Sequence, residues 1–293
     1  MKQIQKNRFT AIKNGNIHYL EWAGGGSVKI HFLHANGFCA GTYAPFLQRL
    51  ADNGFRVLAS DLRGHGDSKR MDYKKLNSWT LFSDDLIDFI QETMNPPITG
   101  IGHSLGAVTT YMAAAKRPDL FSELILIDPV IFQPVQLFII AALRFFRLNI
   151  KVPLAQGARR RKVEFPDINA ARMRFGKGHG MFKYWEKTFI ESYLSCALKS
   201  LEDRRLKLKC DPMLEARIYE TLPTHSFRLA KKIKCPTLLL RGEHSPTFLP
   251  GPAKILQKKI PCCDLITIKG SGHFVPMEKA EDCQKEIQNW ISR

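Results

Sequence analysis

Pro97-Ile98-Thr99-Gly100-Ile101-Gly102-His103-Ser104-Leu105-Gly106-Ala107 is an apolar run that breaks at a serine and continues as helix-forming sequence. It reads as strand, tight turn, helix. Within it Gly102-His103-Ser104-Leu105-Gly106 fits G-x-S-x-G, where a strained turn lifts a serine hydroxyl above the carboxyl edge of a sheet. The glycines have a steric role, because a Cβ at either place would collide where the helix start folds back. The helix that follows aims its N-terminal amides at the serine, and the Leu105 N–H becomes a candidate donor to an oxyanion. A glycine-flanked serine in an ordinary turn would share these five residues. The strand before it and the helix after it set this stretch apart.

Outward from this turn, strand and helix patterns alternate. Residues 9–12 and 17–22 flank Asn14-Gly15-Asn16, and Asn-Gly supplies the positive φ of a tight hairpin. Gly24-Gly25-Gly26 is a loop. Residues 28–33 form a strand that ends at His34-Ala35-Asn36-Gly37-Phe38, a small-residue turn placed where a second oxyanion donor is wanted. Phe46, Leu47 and Leu50 mark a helix over residues 43–53, which Gly54 stops. Residues 56–62 return as a strand and leave into Asp61-Leu62-Arg63-Gly64-His65-Gly66-Asp67-Ser68, where His65, a turn histidine beside glycines, reads as structural. Ser78 caps a helix to Met94, and Asp84 and Asp85 in its early turns suit the helix dipole without invoking a metal.

Downstream, Glu123-Leu124-Ile125-Leu126-Ile127-Asp128-Pro129 is an apolar strand of the kind buried in a parallel sheet, with Asp128 at its carboxyl end. Over residues 131–222 strand signals lapse and 18 Lys and Arg stand against 9 Asp and Glu. This segment reads as an inserted helical cap between core halves 1–130 and 223–293. Its most apolar piece, Val135 to Phe146, contains Leu137 to Leu143 without a polar residue, followed by Arg144 and Arg147, and is too short to cross a bilayer. Three roles stay open for it: lining an acyl pocket through Leu137 and Ile140, facing a membrane surface, or packing on the core. Alternation then resumes with a helix over 224–232, a strand over 236–240, a helix over 252–259 and a strand over 265–268. The turn Gly270-Ser271-Gly272-His273 and a helix over 278–291 close the chain.

A chain of 293 residues can bury one large α/β core. Its seven cysteines, odd in number and without metal-binding spacing, suit reduced thiols in a cytosol-like compartment, so a cytoplasmic location is expected. The basic first eight residues are followed by no apolar core, which argues against a secretory signal. Net charge is +17 with a pI near 9.7, a balance that raises nucleic acid or anionic membrane as partners. Arg159-Arg160-Arg161-Lys162, the densest cluster, has no interleaved aromatics and no nucleic-acid module surrounds it. No nucleic-acid partner is expected. Weak contact of the basic cap with an anionic membrane surface stays open.

Repeated strand–helix units imply a parallel sheet with its site beyond the strands' carboxyl ends, where His34, Ser104, Asp128, Glu243 and His273 all stand. At this point the chain resembles the α/β-hydrolase family across nearly its whole length. The turn His34-Ala35-Asn36-Gly37, the Asp61-to-Ser68 loop, the Gly102-to-Gly106 elbow and Gly272-His273 follow the family's order, as does serine, then acid, then histidine. The resemblance implies an α/β-hydrolase fold, mostly parallel, flanked by helices and carrying a helical cap. It implies Ser104 as nucleophile, His273 as base, and the Leu105 and Asn36 N–H groups as the oxyanion hole. The acid departs from the commoner pattern, since Ser245 stands where many relatives carry Asp. Some relatives take the acid from the strand after the elbow helix, so Asp128 is the first choice and Glu243 the alternative. The implied activity is cleavage of a carboxylic ester or related acyl bond in a small molecule, through an acyl-enzyme and with no cofactor or metal. A thioesterase or carbon–carbon bond hydrolase would use the same triad, and Ser245 keeps open a non-catalytic small-molecule receptor.

Overall fold

The computed structural model describes residues 5–24, 29–146, 152–176, 178 and 180–293. Val28, Gly25, Gly26 and Arg147, read above as strand start, loop and a cation after the apolar run, lie outside the described residues. Strands β1 (Gln5–Ile12) and β2 (Gly15–Trp22) form the expected hairpin, with Ile12 opposite Gly15. β3 (Lys29–Leu33), β4 (Arg56–Ser60), β5 (Ile98–His103) and β6 (Phe121–Ile127) follow. The short β7 (Glu164–Phe165), β8 (Leu198–Ser200) and β9 (Leu206–Leu208) come next, then β10 (Thr237–Gly242) and β11 (Cys263–Ile268). The main sheet has the order β1-β2-β4-β3-β5-β6-β10-β11, antiparallel at β1, β2 and β4 and parallel from β4 to β11.

The apolar run in β6 shows why this arrangement holds. Its residues alternate between two cores, Leu124 and Leu126 on one face and Ile125 and Ile127 on the other, so no position is left for a polar side chain. Helices Thr80–Thr93 and Leu105–Lys116 cover the first face, and Ala44–Asp52 and Ala280–Ile291 the second. Six parallel strands therefore end on one edge, and the turns that carry His34, Ser104, Asp128, Glu243 and His273 leave from it.

Several expectations change. Residues 131–222 are not wholly helical: β7, β9 and β8 make a small antiparallel sheet, in strands too short to print an alternating pattern. None of the described residues among them joins the main sheet, yet Phe165, Phe175, Phe189 and Tyr193 share one core with Phe38 and Phe46. The helix over 224–232 is a short turn, Ser226–Leu229, followed by a 3-10 turn, Ala230–Lys232. Ser78 lies one residue outside the N-cap, its hydroxyl accepting the Thr80 N–H at 3.1 Å. Asp85 does not serve the helix dipole; it is buried and gripped by the Arg63 guanidinium, with Nε 2.7 Å from Oδ2.

Gly106 is the tightest point behind the serine. A Cβ there would stand 2.1 Å from the Leu33 carbonyl oxygen, so the collision is with the neighbouring strand β3. Replacing Gly106 by Ala should cost about 2–3 kcal/mol or more of folding free energy, since backbone on both sides leaves no room to yield. Denaturant titration checks this, and an unchanged midpoint would contradict it.

Candidate active site

Ser104 sits between β5 and its helix at φ 57° and ψ −114°, a strained conformation for a residue bearing a Cβ. Gly102 permits it, because a Cβ there would lie 2.5 Å from the Gly106 carbonyl carbon. The Ser104 N–H donates to Ile127 O at 3.0 Å, which pins the turn to the end of β6. One residue further Asp128, also left-handed at φ 43°, turns a fully buried carboxylate beneath the edge. His273 bridges the two: its Nδ1 lies 2.8 Å from Asp128 Oδ1 and its Nε2 2.9 Å from Ser104 Oγ. The neutral ring therefore carries its proton on Nδ1, toward the carboxylate, and offers Nε2 to the serine hydroxyl.

The β10 turn completes the support of Asp128. Gly242 N–H donates to Oδ2 at 2.7 Å, while the Ser245 and Thr247 hydroxyls donate to Oδ1 at 2.5 and 3.0 Å. Thr247 Oγ1 also lies 2.8 Å from His273 Nδ1. Ser245 thus donates to the carboxylate that follows β6. Glu243 is not brought to His273. Its side chain is exposed and accepts the Gly270 N–H at 2.9 Å, a contact that holds its pKa below the usual glutamate value.

Asn36 and Leu105 both line the cleft above Ser104, and neither backbone N–H has an acceptor among the described residues. The Asn36 side chain is clamped, Nδ2 donating to Glu215 O at 3.1 Å and Oδ1 facing His65 Nε2 at 3.3 Å. His65 is therefore structural, as read, and its partner is the very turn that presents Asn36. His34 Nε2 accepts the Leu62 N–H at 2.9 Å and ties β3 to the β4 turn.

Sequence reasoning missed Thr247, His103 and Tyr43. The Ala35 N–H reaches Tyr43 Oη at 3.2 Å, Tyr43 Oη lies 2.7 Å from His103 Nδ1, and His103 Nε2 lies 2.9 Å from the His273 carbonyl oxygen. One chain of hydrogen bonds so joins the Asn36 turn, the serine elbow and the histidine turn. His103 occupies the free position before the serine in G-x-S-x-G, and a ring nitrogen there was the available signal.

The cleft is small, about 40 Å³, and is lined mostly by apolar side chains, among them Trp79, Val130, Phe132, Leu154, Ile218 and Leu222. Leu137 and Ile140 are not in the lining. Helix Pro134–Phe145 turns Leu137 into the core and packs Ile140 partly buried against it, while the residues just before the helix face Ser104.

The sequence model of the alpha/beta hydrolase family matches residues 32–284. The chain belongs to the alpha/beta hydrolase family. An sn-1-specific diacylglycerol lipase of Mus musculus is 25% identical over 253 residues, spanning 82% of this chain and 72% of the lipase. The 2-(acetamidomethylene)succinate hydrolase of Mesorhizobium japonicum is 22% identical over 277 residues, 89% of this chain and 86% of that one. The crystal structure of E-2-(acetamidomethylene)succinate hydrolase superposes with a TM-score of 0.81 at 22% identity, covering 99% of this chain and 100% of the other, which establishes likeness of fold. These relatives support a hydrolase and leave bond and substrate to be argued from the site.

Among the described residues of this alpha/beta hydrolase four histidines are wholly buried. Desolvation lowers His31 and His65 to about 3 and also pushes His34 and His103 down, His103 further through the nearby His273. The unfolded chain, with ordinary histidines near 6.5, binds more protons than the folded one below that pH, so stability must fall as pH falls. At pH 5 the loss should be about 2 kcal/mol for His31 and again for His65, with none between pH 7 and 8. Denaturant midpoints measured across pH 5–8 check this; a flat profile would mean that these rings are not held neutral.

Proposed function

We propose that this alpha/beta hydrolase is a serine hydrolase that cleaves a carboxylic ester or closely related acyl bond through an acyl-enzyme at Ser104. The observation that carries the reading is the continuous relay from Asp128 to His273 to Ser104, at 2.8 and 2.9 Å. In the first half-reaction Ser104 Oγ attacks the acyl carbon as His273 Nε2 takes its proton, and Asp128 stabilises the imidazolium. The oxyanion forms against the Leu105 and Asn36 N–H groups, each worth about 3 kcal/mol in the transition state. His273 then gives the proton to the departing alcohol oxygen. Water repeats the sequence on the acyl-enzyme, with His273 again as base, and the freed acid leaves Ser104 restored.

The cleft favours an uncharged, apolar acyl chain, because none of its lining residues is Lys or Arg. Residues 131–222 act in this reading as the cap that controls access, since Val152, Leu154, Ile218, Tyr219 and Leu222 come from it. A cytoplasmic setting belongs to the same reading, supported by seven cysteines, an odd number without metal-binding spacing. The receptor alternative loses its motive once Ser245 is seen donating to Asp128 rather than replacing it.

Stopped-flow release of nitrophenolate from acyl esters of increasing chain length tests the proposal. A burst of one equivalent followed by slower turnover is expected. Asp128→Asn should lower turnover by about four orders of magnitude through the wrong histidine tautomer, and Glu243→Gln by no more than about twofold. Absence of any turnover from the folded protein would overturn the proposal in favour of a binding role, and the reverse ranking of the two variants would move the acid to Glu243.

A further inference from the structure

Helix Pro134–Phe145 is apolar on the side that should meet water. Leu137 points into the core, yet Val135, Phe138, Ile139 and Phe145 are 62, 73, 50 and 81% exposed, and Phe146 just beyond is 68% exposed. These positions fall within one stripe of the helix, where a surface helix ordinarily carries charge. Contiguous exposed apolar surface of this kind marks an interaction site.

Its position is specific. Val130 and Phe132, immediately before the helix, line the cleft over Ser104; at the other end Arg144 donates to the carbonyl of Leu222, another lining residue, at 2.6 Å. Leu154 belongs to the cleft lining and is itself 51% exposed. The apolar stripe thus stands beside the mouth of the cleft.

We propose that this stripe docks on an anionic lipid bilayer, with Phe138, Phe145 and Phe146 entering the interfacial region and the cleft mouth seated on the surface. Charge selects this occupant. The chain carries +17, and the segment that holds the helix has 18 basic against 9 acidic residues. Arg160 is exposed and has no acidic partner among the described residues. Two such chains repel each other, which disfavours a second copy on the same face, whereas an anionic headgroup layer attracts both. Apolar side chains and basic residues together form the pair of signals that stable surface binding requires. Docking would bring apolar acyl substrates to Ser104 directly from the lipid; that consequence rests on the proposed acyl hydrolysis, whereas the docking does not.

The test is co-sedimentation of the full chain with vesicles of phosphatidylglycerol mixed with phosphatidylcholine, against phosphatidylcholine alone. The wild type should sediment with the anionic vesicles, less so at about 1 M salt, where the screening length is near 3 Å. Phe138→Ser combined with Phe145→Ser should lower the partition coefficient at least about tenfold, equivalent to 1.4 kcal/mol. The thermal midpoint and turnover of a water-soluble aryl ester should remain those of the wild type. Ser104→Ala should bind vesicles undiminished, so failure of the hydrolase reading and failure of docking are told apart. A wild type that ignores both vesicles, or a double variant that binds as well as the wild type, overturns the proposal. So does a wild-type dimer in sedimentation velocity that the double variant dissolves, since the stripe would then belong to a second copy.

Discussion

A carboxylate with no access to water must find its hydrogen bonds in the protein, and Asp128 finds four. They come from Gly242, Ser245, Thr247 and His273, at 2.7, 2.5, 3.0 and 2.8 Å. One of these donors ends β10, two stand on the turn after it and one on the turn after β11, while the carboxylate itself leaves from β6. The buried charge so dictates the relative placement of three adjacent strand ends, and the imidazole that reaches Ser104 is one of the groups obliged to satisfy it.

The rest of the site is arranged around that requirement. β5 lies next to β6, and the Ser104 N–H on Ile127 sets the hydroxyl at the right height for His273 Nε2. From the opposite side, His103 and Tyr43 link the histidine turn to the turn that carries Asn36. Burial keeps His103 neutral, so its two nitrogens retain one donor and one acceptor role. The groups that would meet substrate are therefore positioned by backbone and by other buried groups, with little left to side-chain freedom.

The fold was legible because its signals are local. The apolar run of β6, the Asn14-Gly15 hairpin and the serine flanked by Gly102 and Gly106 each constrain the chain within a few residues. Ser104 and Asp128 could be singled out because each directly follows a strand-like run, and His273 because it stands in the glycine-rich turn after one. Thr247 and Tyr43 could not, nor could the role of Ser245 be read, since these roles arise only when turns far apart in sequence converge on Asp128 and His103. The choice among the three roles open to the Leu137 and Ile140 helix was not legible for a related reason. An apolar helix can turn either side inward, and periodicity could not say that Leu137 would join the core while Phe138 faced out. The strands β7 to β9, of two or three residues each, lie below the length at which alternation can be read.

The central claim is that the buried carboxylate, acting through His273, makes Ser104 a nucleophile. Intact-protein mass spectrometry after reaction with a fluorophosphonate, with peptide mapping of the product, tests it most directly. One adduct per chain is predicted, on Ser104 alone, forming rapidly in the wild type and slowed by orders of magnitude when Asp128 is replaced by Asn. An unmodified wild-type chain, an adduct on another residue, or a rate indifferent to Asp128 would contradict the account.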